Sequence, residues 1–483
     1  MTRGIPRDVV IIGGGVAGLS ACIYARLAGH NVILLEALPA VGGKAAGIDT
    51  AGYKLDPGPS IVILKRLYER LFLDAGRRME DYLQFRPLNP ISRVCFEGMP
   101  TVDLPSSRVE CERLVSDIDP HDGRSFKSLM LQLDRVAPLI DKTIFKRPFD
   151  AAYQLLNPSM IQVARYLDVR TGYRQSVDRT FQSPMLRAFF YGFPSYGGQS
   201  YDSVAPGAFL IPYLMIQEGV YYPEGGVAAI PVALKRLAIE LGVDIRLNAK
   251  VVQLELSGNQ VSSVRLSDGS TISGSHFICG ADRLTCQKWL GREVSAAPSF
   301  SYFTVHWGLK KRWEWLRHHT LLIPKEFENG FEMLYRKKEF PDPPIIYLNE
   351  TSGTDESVAP AGCSNLFAVV TSPAEEPHLD WVGTADILKE SIKQRMAGFG
   401  IDFTDQDIDF ERIQTPTYFR QAHGSYRGSL YGPDESQRLF GMMPLRNYDE
   451  KLGNLFYCGG SVQPGAGLPM VLLSGKFAAG KIR

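Results

Sequence analysis

The chain has 483 residues, 45% hydrophobic, 11% aromatic and 22% charged, a balance that excludes a disordered or fibrous protein and permits a large core without metal or disulfide staples. At about 150 residues per domain the length corresponds to roughly three domains' worth of chain. Lys and Arg number 53 against 52 Asp and Glu, so there is no basic excess, which argues against nucleic acid as a partner.

The first residues could pass for a leader, with Arg3 and Arg7 ahead of an apolar run from Val9. Asp8 abuts that run, however, and Gly13, Gly14 and Gly15 interrupt it, so no cleaved signal peptide is expected. Residues 9–12 suit a short buried parallel strand. Gly13-Gly14-Gly15-Val16-Ala17-Gly18 is a GxGxxG turn. A helix is expected over 19–27, stopped by Gly29, then a second apolar strand over 31–35 that ends at Glu36. In such a β-α-β unit Gly13 permits the tight turn, Gly15 a close approach of backbone to a pyrophosphate, and Gly18 close helix–strand packing, while the helix N-terminus favours the phosphates. Glu36 is placed to accept both ribose hydroxyls and argues against a 2′-phosphorylated cofactor. Gly42-Gly43-Lys44 again permits close approach, with Lys44 as a point charge for a phosphate. The stretch 52–60, with Pro57, Gly58, Pro59 and Ser60, reads as a rigid loop, functional or simply a turn.

Helices are expected over 125–140 and 160–173. The stretch 189–222 is rich in aromatics, among them Phe189, Phe190, Tyr191, Phe193, Tyr196 and Tyr213. They would line an apolar tunnel, lie in a membrane interface, or simply pack a core. The nucleotide-binding pattern resumes at 222–226, with a helix over 228–241 and strands over 243–247, 251–256, 261–266 and 276–279. A second block, 301–372, holds strand-like runs at 303–309, 345–349 and 366–371, followed by a helix over 385–396. At the end come a strand over 454–458, Gly459-Gly460-Ser461, and a helix over 471–479 with Pro469 near its start. Residues 452–475 are uncharged and long enough to span a bilayer, but Asn454, Gln463, Pro464, Pro469 and several glycines make a lipid-exposed helix implausible. No transmembrane helix is expected.

The seven cysteines are widely spaced and form no CxxC, which reads as small buried residues in a reducing compartment. Cys458 falls in an expected strand and reads as core. No HExxH occurs, and the adjacent His318 and His319 would diverge on a helix or strand, so no metal is expected.

Three blocks of the sequence resemble the FAD-dependent carotenoid desaturases of the phytoene-desaturase type, within the flavin amine oxidase superfamily: VVIIGGGVAGLSACIYARLAGHNVILLEALPAVGGKA with the downstream LDPGPS, YYPEGGVAAIPVALKRLAIELGVDIRLNAKV, and NLFYCGGSVQPGAGLPMVLLSGKFAAGKI. Together they cover well under half of the chain, and the Pro-Gly-Ala-Gly-Leu-Pro run points most directly to polyene oxidoreductases. The resemblance implies an α/β (overall α+β) architecture: a Rossmann-like FAD-binding domain of the glutathione-reductase type built from residues 1–75, 222–299 and 415–483. Residues 76–221 and 300–414 would form a mixed-sheet substrate domain, with a helical, membrane-associating part around 125–215. It implies non-covalent FAD in an extended pose. Gly13, Gly15, Ala17 and Gly18 would hold the pyrophosphate, Glu36 the adenosine ribose, and Gly43 and Lys44 would follow along the phosphates. Gly58, Pro59 and Ser60 would lie near the isoalloxazine. Val251 would meet the adenine through its backbone, and Gly460 and Ser461 would approach the phosphates and ribityl chain. Gly467 and Leu468, at the last helix start, and Met470 would lie near the flavin. Lys44 stands where arginine is commoner, and Ser461 where the amine oxidases carry an acid.

The implied reaction is desaturation of a long polyene or isoprenoid by hydride transfer from an allylic carbon to flavin N5, with oxygen or a quinone as electron acceptor. Such chemistry needs water exclusion and orientation more than a catalytic dyad, and no catalytic acid or base is assigned. Only one dinucleotide fingerprint is present, and no cysteine pair follows the first β-α-β unit, which argues against a pyridine-nucleotide disulfide reductase. A carotenoid isomerase, saturase or ketolase, an amine oxidase, or a non-catalytic lipid binder of the GDP-dissociation-inhibitor type are the alternatives on this scaffold. The expected setting is cytoplasmic, with peripheral membrane contact through 189–213.

Overall fold

The computed structural model describes residues 7–168, 170–202, 206–434 and 445–482; Arg3 lies outside the described residues. Five parallel strands form one sheet in the order Leu455–Tyr457, His276–Cys279, Asp8–Ile12, Asn31–Leu35, Asp244–Arg246. The central strand pairs Val9 with both His276 and Val32. Both faces of this sheet are covered, which is why its strands read as continuous apolar runs. Alternation still sorts the side chains. Val9, Ile11, Val32 and Leu34 pack with the helices Val16–Leu27, Ala229–Glu240 and Leu468–Ala479. Val10, Ile12 and Leu35 pack with the antiparallel strands Val251–Ser257 and Gln260–Leu266.

A second, seven-stranded mixed sheet runs Ile408–Gln414, Ser301–Leu309, Ser364–Ser372, Ile346–Glu350, His319–Ile323, Ser92–Phe96, Val102–Leu104. Three of these strands fall outside the 301–372 block expected from sequence. Ser92–Phe96 is broken as an apolar run by Arg93, whose guanidinium is held bidentately by Asp103 of the neighbouring strand at 2.6 and 2.7 Å. Ile408–Gln414 carries Asp409, Glu411 and Arg412, as suits an edge strand.

A helical layer covers this sheet, with helices Arg108–Ile118, Pro120–Lys142, Pro158–Tyr166, Tyr173–Thr180, Pro184–Tyr191 and Leu210–Glu218. Asp119 caps Pro120–Lys142, accepting from the amides of His121 and Asp122 at 2.7 and 2.9 Å. The single helix expected over 160–173 is two, because the chain turns at Asp168 (φ 42°) and restarts after Gly172.

The aromatic stretch faces inward. Phe190, Tyr191, Phe193, Tyr201, Phe209 and Tyr213 are buried in the helical core, with Phe189 and Tyr196 half-buried against it, so membrane contact through these rings is corrected to core packing and cavity lining. The exposed large apolar residues of the helical layer lie elsewhere, at Val109, Leu131, Tyr153, Leu156 and Ile161. Among the described residues no helix is long and apolar enough to cross a membrane. All seven cysteines are free, and all but Cys363 are buried.

The first and last helices cross in close contact. Ser20 Oγ donates to the Leu472 carbonyl at 2.7 Å. A Cβ at Gly475 would stand 2.3 Å from the Ala17 carbonyl oxygen and 2.7 Å from the Ala21 amide nitrogen. Neither backbone can retreat without disturbing the sheet beneath, so Gly475→Ala is expected to lower the free energy of unfolding by about 1–3 kcal/mol in chemical denaturation.

Candidate functional site

The carboxyl ends of four parallel strands open into one cavity of about 770 Å³. Gly13 and Gly15 follow the first strand, Glu36 the second, Gly280 to Asp282 the fourth, and Gly459 to Ser461 the last, and all line it. Ligands of parallel α/β sheets bind at this edge. The first helix begins at Val16, three residues before the expected start, with no side chain capping it. Its leading residues Gly15, Val16 and Ala17 line the cavity, so an uncapped helix start with free N–H groups and partial positive charge is offered there.

A Cβ built on Gly15 has only the Gly42 carbonyl oxygen near it, at 4.0 Å, and one on Gly467 has nothing within 4 Å. Both positions leave room at the cavity wall that a side chain would take. Glu36 is buried; its Oε2 accepts from the Gly14 amide at 2.6 Å and its Oε1 from the Leu38 amide at 2.9 Å. Each carboxylate oxygen retains acceptor capacity for a ribose hydroxyl. Cradle, helix start and acid together fit an extended dinucleotide such as FAD.

The other sequence-derived positions fall as follows. Gly43, Lys44, Gly58, Pro59, Ser60, Val251, Gly460, Ser461, Gly467 and Leu468 line the cavity. Lys44 donates to the Leu430 carbonyl at 2.9 Å. Burial pulls its ammonium below the usual lysine range, opposed by Asp282, whose carboxyl burial pushes up. Ser461 Oγ accepts from the Arg283 amide at 3.0 Å. Two positions do not line the cavity. Gly18 packs beneath it, where a Cβ would stand 1.9 Å from the Gly13 carbonyl oxygen. Met470 packs against the helical core, because the last helix starts at Leu468 and turns that side chain away from the cavity, which Ala466 and Val471 line instead.

Sequence reading missed the wall built from 419–425 and 430–432. The strand-end rule would have signalled Gly280 to Asp282, which directly follow His276–Cys279; nothing in the local pattern marks the wall segments.

Beyond Ser60 the cavity is apolar and aromatic, lined by Tyr196, Tyr302, Phe331, Tyr335, Tyr347, Phe367 and Tyr431. Three of the five phenols are hydrogen-bonded: Tyr302 with Tyr431 at 2.9 Å, and Tyr347 with Ser60 at 2.7 Å and with His319 Nδ1 at 2.6 Å. Burial pushes all five phenols above their usual range, so they are neutral. Burial, reinforced by Lys44 and Arg412, pulls His423 down to about 4. Glu36 and Asp282 are the acids that line the cavity among the described residues.

The model of flavin-containing amine oxidoreductases matches residues 16–483. The chain belongs to that family. It is 30% identical to a zeta-carotene-forming phytoene desaturase of Myxococcus xanthus, over 99% of this chain and 94% of that protein. It is also 30% identical to a 4,4′-diapolycopene oxygenase of a Methylomonas species, over 98% of this chain and 97% of that protein. Among solved structures it resembles a putrescine oxidase double mutant, at 14% identity and a TM-score of 0.63, covering 99% of this chain and 98% of that one. The mixed α/β fold is thus that of the amine oxidases, and the chain is an FAD-dependent oxidoreductase of the carotenoid-desaturase type.

Gly15→Glu would place a carboxylate in the space left at the helix start. The protein is expected to purify folded by circular dichroism but with little flavin absorbance relative to protein absorbance. Glu36→Ala removes a charged acceptor and is expected to weaken FAD binding about ten- to hundredfold in equilibrium titration.

Proposed function

We propose that the protein desaturates a carotenoid or a related long polyene, and that residues 1–75, 222–299 and 415–483 act as the flavin-binding unit while 76–221 and 300–414 hold the substrate. The observation that carries this reading is a single cavity that begins at the glycine turn and Glu36 and ends between neutral aromatic walls. FAD, held without a covalent bond, supplies a two-electron acceptor for a hydride from an allylic carbon. The chain's own contribution is positional. Glu36 and the uncapped helix start would fix the dinucleotide, Ser60 and Tyr347 would join the two parts, and the aromatic walls would keep water from the reacting carbon. Oxygen or a quinone is the proposed acceptor of the electrons.

An amine substrate, entering as an ammonium group, would meet aromatic faces here but no carboxylate to pair with. Glu36 and Asp282 both follow strands of the parallel sheet, and the aromatic part offers no carboxylate among the described residues. Incubation of purified holoprotein with phytoene-type and partly desaturated polyenes in liposomes, followed by pigment chromatography, tests the reading. A product with two fewer hydrogens supports it. A shifted double-bond geometry, an added pair of hydrogens or a new carbonyl at unchanged desaturation would instead assign isomerase, saturase or ketolase activity.

A bilayer-dissolved substrate calls for contact with the membrane surface. Tyr153, Leu156 and Ile161 are exposed at 72%, 72% and 54%, and Lys142, Lys146 and Arg147 close by in the chain are exposed as well. Apolar tips beside cations suit the surface of an anionic leaflet, proposed here as that of the cytoplasmic membrane. In sedimentation with anionic liposomes the protein is expected to pellet, and the Tyr153→Asp/Leu156→Asp variant to remain in the supernatant; a wild-type protein that stays in the supernatant removes this contact.

A further inference from the structure

A small recess of about 30 Å³ adjoins the main cavity and shares Ile61, Gly192, Tyr196, Leu321 and Tyr347 with it. Its remaining walls are mostly apolar, with two exceptions: Ser92 and His319. Both are deeply buried, at 3% and 1% exposure. Ser92 Oγ and His319 Nε2 are both without a hydrogen-bond partner. Buried polar atoms in native proteins are almost always satisfied, so two orphans at one recess indicate that something else satisfies them.

Their juxtaposition follows from the sheet. Ser92–Phe96 and His319–Ile323 are adjacent parallel strands with Arg93 opposite Thr320. Ser92 and His319 therefore precede that pair together and project to the same face. Leu321, two residues on, shares the face and is paired with Tyr347, which is why all four meet at the recess.

The chemistry of the pair can be assigned from the network. Asn349 Nδ2 donates to the His318 carbonyl at 2.9 Å and lies 3.4 Å from His319 Nδ1. With an amide N–H and the Tyr347 hydroxyl facing it, Nδ1 is the acceptor, and the single proton of the neutral ring sits on Nε2. Burial, with His318 beside it, holds the ring neutral. The recess thus offers one N–H donor and one hydroxyl, no net charge, and room for one small group.

We propose that Ser92 and His319 form an end-group subsite for a neutral oxygen, hydroxyl or carbonyl, borne by one terminus of the polyene, so that the substrate is an oxygenated chain rather than a pure hydrocarbon. This rests on the reading of the cavity as a polyene channel. A site built to hydrogen-bond an oxygen discriminates against the analogue that lacks it, because its own groups are then left unpaired.

The test uses holoprotein and two polyenes of equal length, one ending in hydrocarbon and one bearing a terminal hydroxyl, in competition in the same liposomes. Relative kcat/KM is read by chromatography. Equilibrium binding of each polyene is read separately by fluorescence quenching. The hydroxylated chain is expected to be preferred about tenfold or more. Ser92→Val and His319→Phe are each expected to collapse that ratio, and His319→Gln, which keeps a donor, to restore part of it. The wild-type comparison needs no variant to fold, and flavin content reports on those that are made. Equal preference in wild-type protein, or a preference that survives Ser92→Val and His319→Phe, overturns the proposal and leaves a recess that holds water only. Hydroxyl-selective binding without desaturation would keep the subsite and overturn the reaction instead.

Discussion

The structure depends on a crowding of chain ends at one edge of a parallel sheet. Four strands drawn from the beginning, middle and end of the chain stop at the same level, and each continues into a segment that lines the cavity. The contact that sets the spacing there is the buried Glu36 carboxylate, which accepts the Gly14 and Leu38 amides. It ties the glycine turn after the first strand to the end of the second. A carboxylate in that place does double work: it satisfies backbone donors that the tight turn leaves over, and it keeps acceptor capacity toward the cavity. Gly475 supports the arrangement from behind, letting the last helix lie against the first at backbone distance, so that the C-terminal segment reaches the same edge.

A second constraint comes from putting hydroxyl-bearing rings in an apolar space. Tyrosine gives broad, rigid walls, but each buried hydroxyl needs a partner. Tyr302 and Tyr431 satisfy one another, and Tyr347 is satisfied by Ser60 and His319. The Ser60 contact links the loop with two prolines to the mixed sheet. Three of the five phenols in the chamber therefore hold its walls in place.

The parts of this arrangement that were legible in the sequence are those in which local chemistry is unique. A GxGxxG turn between an apolar strand and a helix, closed by Glu36, admits few other structures, and the segments 8–36 and 454–479 form the expected elements with shifts of only a few residues at their ends. Legibility fails where an element's identity is conferred by its neighbours. Ser92–Phe96 holds an arginine that becomes tolerable only when Asp103 lies beside it. Ile408–Gln414 alternates weakly because it is an edge. Met470 packs against the helical core while Leu468 and Val471 of the same helix line the cavity. The cavity wall at 419–432 has no local signature at all, because it is made of turns and a short helix brought there by strands on either side.

The aromatic stretch shows why composition alone could not choose between tunnel, core and membrane. Phe190, Phe193 and Phe209 bury one another, while Tyr196, a few residues along, faces the cavity. The same density of rings thus serves as both core and lining, and the side a ring takes depends on helix phase and on which strands lie beneath. Because the rings are occupied inside the molecule, any hold on a membrane must come from residues that the fold leaves unburied. In the helical layer these include Val109, Leu131, Tyr153, Leu156 and Ile161. That layer also supplies Phe189, Phe193 and Met215 to the inner recess. The same layer thus supplies both exposed apolar side chains and part of the lining of the recess that holds Ser92 and His319.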